Sequence, residues 1–194
     1  MIQIKDKKDC CGCNACGDIC PKKAISFKVD HEGFGYPEVD KRTCIDCGLC
    51  EKVCPEMHSE ELKKNDFEIP KCYAAQCKNL ESLFNSTSGS AFATFAERIY
   101  KIGGYVGGAV FNEDYSVTQF ISSNKSDLER LRNSKYVQSN SEGFFLAVRD
   151  LLNGGNNVLV CGIPCQMAAL RSFLGKEYDN LLIVDLICLG INSP

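Results

Sequence analysis

The chain has 194 residues, fourteen cysteines and a formal net charge of −3. This charge offers no strong attraction to nucleic acid or to an anionic membrane surface, so neither is expected as a partner. The N-terminus has no signal-peptide pattern and no apolar run reaches the roughly 20 residues of a membrane-spanning helix, so we expect a soluble, cytoplasmic protein.

The first feature along the chain is a cysteine motif that occurs twice. Each copy has the spacing C-x2-C-x2-C-x3-C followed by proline; the copies are Cys10, Cys13, Cys16, Cys20 and Cys44, Cys47, Cys50, Cys54. Bacterial ferredoxins with two [4Fe–4S] clusters use this run of ligands, and the fourth ligand of each cluster comes from the other motif. The sequence therefore predicts two four-cysteine sites. One consists of Cys10, Cys13, Cys16 and Cys54, and the other of Cys20, Cys44, Cys47 and Cys50.

Two other uses of these cysteines fit the pattern less well. A structural zinc site would use paired C-x2-C ligands and would leave the third cysteine of each motif unexplained. Disulfides are not expected in so cysteine-rich a chain without a secretory signal. Of the cysteines outside the motifs, Cys11, Cys72 and Cys77 are expected to be buried without a ligand role, although Cys11 could replace its neighbour Cys10.

Three short segments surround the second motif. Residues 24–40 alternate in polarity on both sides of a turn at 31–35, which predicts a β-hairpin between the motifs. Residues 59–71 are charged and poor in apolar residues, so they are predicted to be a linker. A short strand is predicted at 72–77.

Strands and helices alternate in the remainder of the chain. A helix is predicted after Ser90, its expected N-cap, because Phe92, Phe95, Ala96 and Ile99 recur on one helical face. The later predicted elements are strands at 105–111 and up to about 122, a short helix opened by a capping box at 126–129, helices at 144–152 and 166–174, and strands at 158–161 and 181–188.

The predicted fold class is therefore α+β. A small ferredoxin-like 2[4Fe–4S] domain at 1–58 is followed by a linker at 59–71. Residues 72–194 are predicted to form an α/β domain with a helix-covered mixed sheet, because strands and helices alternate there.

Four segments of the second half carry a resemblance to a known family. They are SGSAFATFAERI at 88–99, the residues around Lys135 and Tyr136, CGIPCQMAALRSFLG at 161–175 and VDLICLG at 184–190. These resemble the beta-subunit family of coenzyme F420 hydrogenases and dehydrogenases, which includes iron–sulfur flavoproteins with fused N-terminal two-cluster ferredoxin domains. The resemblance implies a catalytic domain that binds FAD. It also implies that the chain is the N-terminal part of a longer protein.

The resemblance also implies roles for individual residues. Cys165 and Cys188 would be two ligands of a possible third [4Fe–4S] cluster, completed by a C-x2-C pair downstream of Pro194. The implied cofactor-binding residues are Ser88, Gly89, Ser90, Lys135 and Tyr136. From the residue types alone, the serine loop could bind a pyrophosphate at a helix N-terminus or simply cap the helix. Lys135 and Tyr136 could likewise contact a flavin or lie in a solvated loop.

The leading functional prediction is an iron–sulfur, flavin-dependent oxidoreductase, hence an enzyme. It would move electrons between a small-molecule two-electron donor or acceptor, of the F420 type or another, and a ferredoxin-like carrier or redox partner subunit. The alternative is a non-catalytic electron-transfer subunit that docks on a larger redox complex.

Overall fold

The computed structural model describes residues 1–59 and 69–194, so most of the predicted linker at 59–71 lies outside the described residues. The N-terminal unit, residues 1–59, contains a 3-10 helix and four regular elements. These are the 3-10 helix Lys7–Asp9, helix α1 (Ala15–Asp18), strand β1 (Ile25–Val29), strand β2 (Gly35–Val39) and helix α2 (Leu49–Lys52).

Strands β1 and β2 form the hairpin between the two cysteine motifs. They pair antiparallel, with Ile25 opposite Val39 and Val29 opposite Gly35. Asp30 closes the turn, since its side-chain oxygen accepts from the backbone N–H groups of Glu32 and Phe34 at 3.0 and 3.1 Å. The predicted hairpin is confirmed.

The α/β half, residues 69–194, contains a five-stranded sheet and five helices among the residues described. The helices are α3 (Leu80–Phe84), α4 (Ala91–Lys101), α5 (Leu128–Leu131), α6 (Phe144–Asn153) and α7 (Pro164–Leu174), and the strands are β3 (Tyr105–Phe111), β4 (Val117–Ser122), β5 (Ser139–Asn140), β6 (Val158–Gly162) and β7 (Leu181–Asp185). The strand order is β5-β4-β3-β6-β7. Strands β3, β6 and β7 are parallel, whereas β4 runs antiparallel to β3, so the sheet is mixed.

Strand β6 shows why helices cover both faces of this sheet. Its apolar side chains alternate between two cores because successive residues of a strand point to opposite faces. Val158 and Val160 pack with residues of α6 and α7, whereas Leu159 and Cys161 pack with residues of α4 and α5. The mixed, helix-covered sheet of the predicted α+β fold is thus confirmed. No helix in the described ranges is long and apolar enough to cross a bilayer.

Two predicted local elements are wrong. Residues 72–77 form no strand; the backbone N–H of Cys77 donates to the carbonyl of Gly89 at 2.9 Å, a single bond without a ladder. The capping box predicted at 126–129 does not form, because the helical segment begins earlier. The Asn124 side chain accepts from the N–H of Ser126 at 3.0 Å and begins a 3-10 helix at Lys125, ahead of α5.

Other predictions are correct in outline and differ in detail. Ser90 directly precedes α4, but its side chain makes no capping bond. Phe95 is 45% exposed, and the residues of α4 that are fully buried are Ala93 and Ala96. Cys161 is buried, whereas Cys72, which was predicted to be buried, is exposed. Strand β7 ends at Asp185, short of the predicted 188.

The N-terminal unit and the α/β half share one apolar core. Cys13, Ala15 and Val53 belong to the same buried cluster as side chains of α6 and α7. The Asp18 carboxylate accepts from the N–H groups of Gly143 and Phe145 at 2.7 and 3.1 Å, and so satisfies the first turn of α6. The first cysteine motif therefore lies at the junction of the two halves.

Candidate metal centre

The two cysteine motifs fold into loops with the same backbone pattern. The residue before the second cysteine is left-handed in both loops, at φ 64° for Gly12 and 51° for Asp46. So is the residue after the second cysteine, at φ 64° for Asn14 and 75° for Gly48. Glycine, asparagine and aspartate are the residue types that adopt this conformation most readily. These turns curl each loop around its own cysteines.

The motif cysteines line two cavities, which we name by their position. The inner cavity, with an empty volume of about 320 Å³, is lined by Cys10, Cys13, Cys16 and Cys54, with Cys11 beside them. The outer cavity, with about 360 Å³, is lined by Cys20, Cys44, Cys47 and Cys50. Each motif therefore supplies three cysteines to one cavity and its fourth cysteine to the other.

The lining of both cavities suits an iron–sulfur cluster. All fourteen cysteines are free thiols. Most of the other lining residues are apolar, such as Ile4 and Phe27 in the inner cavity and Ile25 and Val39 in the outer. Four thiols around one space form the donor set of a [4Fe–4S] cluster. In residues 1–59 and 69–194, no group of three or more His, Cys, Asp or Glu side chains surrounds a point for a single metal ion.

The cavities differ in their exposure. In the inner cavity, Cys13, Cys16 and Cys54 are buried, and α1 packs against α6 and α7 on this side. In the outer cavity, Cys47 is exposed. The inner cavity therefore faces the α/β half, and the outer cavity lies at the surface.

The cavities also differ in polar surroundings. Thiols of both cavities accept backbone N–H groups. In the outer cavity Cys50 accepts from Ile2 and Cys20 from Ala24, both at 3.3 Å, and Cys44 from Asp46 at 3.4 Å. In the inner cavity Cys10 accepts from Gly12, Cys13 from Ala15 and Cys16 from Gly17. Such bonds orient metal ligands and tune their electronic properties. The inner cavity is lined by two carboxylates, Asp9 and Glu56, whereas the outer cavity is lined by Lys22, Asp46 and the N-terminal residue.

Burial keeps the inner thiols of Cys10 and Cys16 protonated. It raises the pKa of Cys10 to about 11, and the charge of Glu56 adds to this effect. Burial also raises the pKa of Cys16. Because only thiolates bind iron, metal binding at this cavity must release protons.

Residues 9–57 match the family model of the 4Fe-4S dicluster domain. This part of the chain is a 4Fe–4S dicluster domain. The match assigns iron–sulfur binding and electron transfer to the dicluster domain, and it does not extend into the α/β half. A comparison with curated proteins found no match.

Of the two cysteines outside the dicluster domain that the resemblance assigns as cluster ligands, Cys165 lies near Cys11. Cys165 is in the first turn of α7, where its thiol and that of Cys13 donate to Cys11 and lower the Cys11 pKa. This hydrogen bond raises the pKa of Cys165, and the charge of Cys188 raises it further. The structure thus brings Cys165 of the α/β half beside Cys11 of the dicluster domain. The third cluster on Cys165 and Cys188 stays a prediction.

The loop predicted to contact the flavin is mostly engaged within the protein. The Ser90 hydroxyl is buried and donates to the Ser82 carbonyl at 3.2 Å. A Cβ on Gly89 would lie 2.0 Å from the carbonyl oxygen of Ala75, so this glycine packs directly on backbone. The side chain of Ser88 is exposed. Of the three residues, Ser88 is therefore the one whose side chain can meet a ligand without rearrangement.

Lys135 and Tyr136 have contrasting surroundings. The Lys135 ammonium donates to the carbonyl oxygens of Arg130, Arg132 and Asn133 at 2.8, 2.6 and 2.9 Å. Burial lowers the pKa of Lys135 to about 8. Tyr136 is 71% exposed. The hydrogen bonds of Lys135 thus fix the backbone at the end of α5 and in the loop that follows. The side chain of Tyr136 is exposed and can contact a ligand.

Proposed function

We propose that the chain is an iron–sulfur oxidoreductase. Its dicluster domain would pass single electrons between an external one-electron carrier and a two-electron site in the α/β half. The observation that carries this proposal is the position of the two cavities. One opens at the surface beside the exposed Cys47, and the other is buried against α6 and α7.

In this proposal the inner cluster is held by Cys10, Cys13, Cys16 and Cys54, and the outer cluster by Cys20, Cys44, Cys47 and Cys50. When bound, the clusters supply reversible one-electron transfer. The chain's own residues provide the thiolates, and apolar side chains such as Ile4 and Val39 limit access of water. Backbone N–H groups orient the outer thiolates.

We further propose FAD as the two-electron group of the α/β half. The support is the family resemblance of this half, together with the exposed side chains of Ser88 and Tyr136. Bound FAD supplies the conversion between two-electron and one-electron chemistry. The substrate, F420-like or another two-electron carrier, belongs to the same proposal.

A second candidate function is a non-catalytic subunit that carries electrons to a larger complex. It is favoured by the internal hydrogen bonds of Ser90 and Lys135, which occupy two of the residues predicted to contact flavin. Purification without oxygen followed by a flavin assay separates the two candidates. Bound flavin supports the enzyme, whereas complete clusters without flavin under loading conditions support the subunit.

The ligand assignment is tested by single alanine variants. Wild-type protein reconstituted without oxygen should contain about eight irons and eight sulfides per chain. Cys16→Ala and Cys54→Ala come from different motifs but line one cavity, so both should damage the same cluster and leave the same electron paramagnetic resonance (EPR) signal intact. Cys20→Ala should remove the other signal. Cys72→Ala is the matched control because Cys72 is exposed and outside both cavities.

The assignment would be contradicted if Cys16→Ala and Cys54→Ala abolished different EPR signals. Each cluster would then draw all its ligands from one motif. A colourless protein with zinc bound after anaerobic reconstitution would contradict the iron–sulfur function itself.

A further inference from the structure

The outer cavity opens on a surface with exposed apolar side chains, which we call the outer face. Its centre is the exposed Cys47, with Ile45 at 57% and Leu49 at 37% exposure on either side in the sequence. All three residues line the outer cavity. Apolar side chains at the centre of a surface patch are typical of a protein-contact site.

Basic side chains surround this apolar centre. The exposed basic residues of the outer face are Lys22, Lys23, Lys41, Arg42 and Lys52. Lys22 lines the cavity. The N–H of Asp40 donates to the carbonyl of Ala24 at 2.8 Å, which holds the Lys23 turn against the Lys41 turn. Lys52 ends helix α2, close to one turn beyond Leu49.

The carboxylates of the outer face are already engaged. Asp46 and Glu51 contact the N-terminal ammonium of Met1 at 2.7 and 3.2 Å. Asp40 contacts Nε of Arg42 at 3.5 Å. Within residues 1–59 and 69–194, the four lysines of this face have no ion-pair partner.

The outer face is therefore positive on a chain that is negative as a whole. Its five basic side chains and the N-terminus make six positive groups against three carboxylates, which gives +3, whereas the chain carries −3. Opposite charges on two surfaces accelerate their encounter and select the orientation in which they meet. A negatively charged partner would thus be guided to the outer cavity.

We infer that the outer face docks an acidic protein that carries a one-electron redox centre near its surface. This inference rests on the proposed function, because docking has a use only if the outer cluster exchanges electrons. It adds the site and the sign of the partner's charge. A protein fits better than a small molecule, since the charges are spread around an apolar centre and not gathered in a pocket.

Charge reversal at two lysines tests the inference. Lys41→Glu with Lys52→Glu changes the outer face, and neither residue lines the outer cavity or is a proposed ligand. The matched control is Lys78→Glu with Lys125→Glu, two exposed lysines of the α/β half that give the same change in net charge. The measurement is the second-order rate of electron transfer with a purified acidic [2Fe–2S] ferredoxin, by stopped-flow at low and high salt.

The wild-type rate should fall as salt rises, because screening weakens the attraction. The outer-face variant should react about tenfold more slowly at low salt and lose this salt dependence, and the control should stay within about twofold of wild type. With a basic cytochrome as carrier, the wild-type rate should instead rise with salt. The affinity for the ferredoxin, measured by calorimetry at low salt, should likewise be similar for wild type and the control variant and lower for the outer-face variant.

Iron content and reduction by dithionite, which needs no protein docking, are measured for every variant. If the outer-face variant keeps its iron and reacts with the ferredoxin like wild type, the docking inference is overturned and the proposed function stands. Faster reaction of wild type with the basic carrier at low salt than at high salt also overturns it. A wild-type protein whose clusters dithionite cannot reduce contradicts the proposed function itself.

Discussion

Gly12 and Gly48 have the same left-handed backbone in the two cysteine loops but different surroundings. A Cβ on Gly12 would lie 2.1 Å from Nε2 of Gln138, whereas a Cβ on Gly48 would meet nothing within 4 Å. Gln138 cannot move freely, because its side chain accepts from the N–H of Gly35 at 2.6 Å and donates to the Gly35 carbonyl at 3.3 Å. Gly12 therefore matters for the contact between the halves as well as for its loop.

Alanine at these two positions should separate backbone strain from the contact with Gln138. Gly12→Ala and Gly48→Ala should each cost about 1–2 kcal/mol through the left-handed conformation. Gly12→Ala should cost about 1–2 kcal/mol more, because Gln138 must leave its hydrogen bonds to Gly35. Anaerobic chemical denaturation, followed by circular dichroism and cluster absorbance, gives the free energies of unfolding.

Gln138→Ala provides the control for this comparison. In that background the additional cost of Gly12→Ala should disappear, since the displaced side chain is absent. Equal destabilisation by Gly12→Ala and Gly48→Ala in the wild-type background would contradict the role given to Gln138.

At the scale of elements, α5 is a single turn that depends on a side chain beyond its end. The Lys135 ammonium donates to the carbonyl of Arg130 in α5 and to those of Arg132 and Asn133 in the loop that follows. Lys135→Met removes the donor and keeps most of the apolar stem, so it should lower the free energy of unfolding by about 2 kcal/mol even without flavin. Lys125→Met, at an exposed lysine, is the control and should change little.

The same variant has a pH signature. Burial lowers the Lys135 pKa from 10.5 to about 8 in the folded chain. Between these values the unfolded chain binds one more proton than the folded chain, so the contribution of Lys135 to stability rises with pH. The stability difference between wild type and Lys135→Met should therefore grow from pH 8 towards about 10. A difference that is flat or falls over this window would contradict the lowered pKa of Lys135 in the folded chain.

The larger elements were predictable because their sequence patterns are strong. Strand β3 was predicted with its observed bounds, and α6 within one residue, since each is a long apolar segment with clear ends. The capping box at 126–129 failed because Asn124 forms an earlier side-chain bond to Ser126. The ends of short elements depend on single hydrogen bonds of this kind. Sequence composition alone does not show which of two competing hydrogen bonds will form.

The candidate site was predictable to a similar degree. The spacing of the cysteines anticipates which four line each cavity, because three ligands lie on one tight loop. The contacts of Cys11 with Cys165 and of Asp18 with Gly143 join residues more than a hundred positions apart. Local sequence patterns do not predict such contacts, because they form only when α1 packs on α6 and α7.

At the scale of the whole molecule, the environments of the two cavities imply unequal cluster potentials. The carboxylates of Asp9 and Glu56 line the inner cavity and oppose the addition of an electron. The outer cavity has Lys22 and contact with solvent beside the exposed Cys47, both of which stabilise added negative charge. The outer cluster should therefore have the higher potential, which favours electron flow from the α/β half to the surface.

A reductive titration followed by EPR should accordingly show two steps, with the outer cluster reduced first. Glu56→Gln removes a negative charge beside the inner cavity and should raise the lower potential by tens of millivolts, on the order expected for a charge several ångströms away. Lys22→Gln should lower the upper potential instead. Glu81→Gln, an exposed carboxylate on α3, should move neither. If Glu56→Gln shifted the upper potential alone, the lower-potential cluster would not be the inner one, and electron flow towards the surface would lose its physical basis.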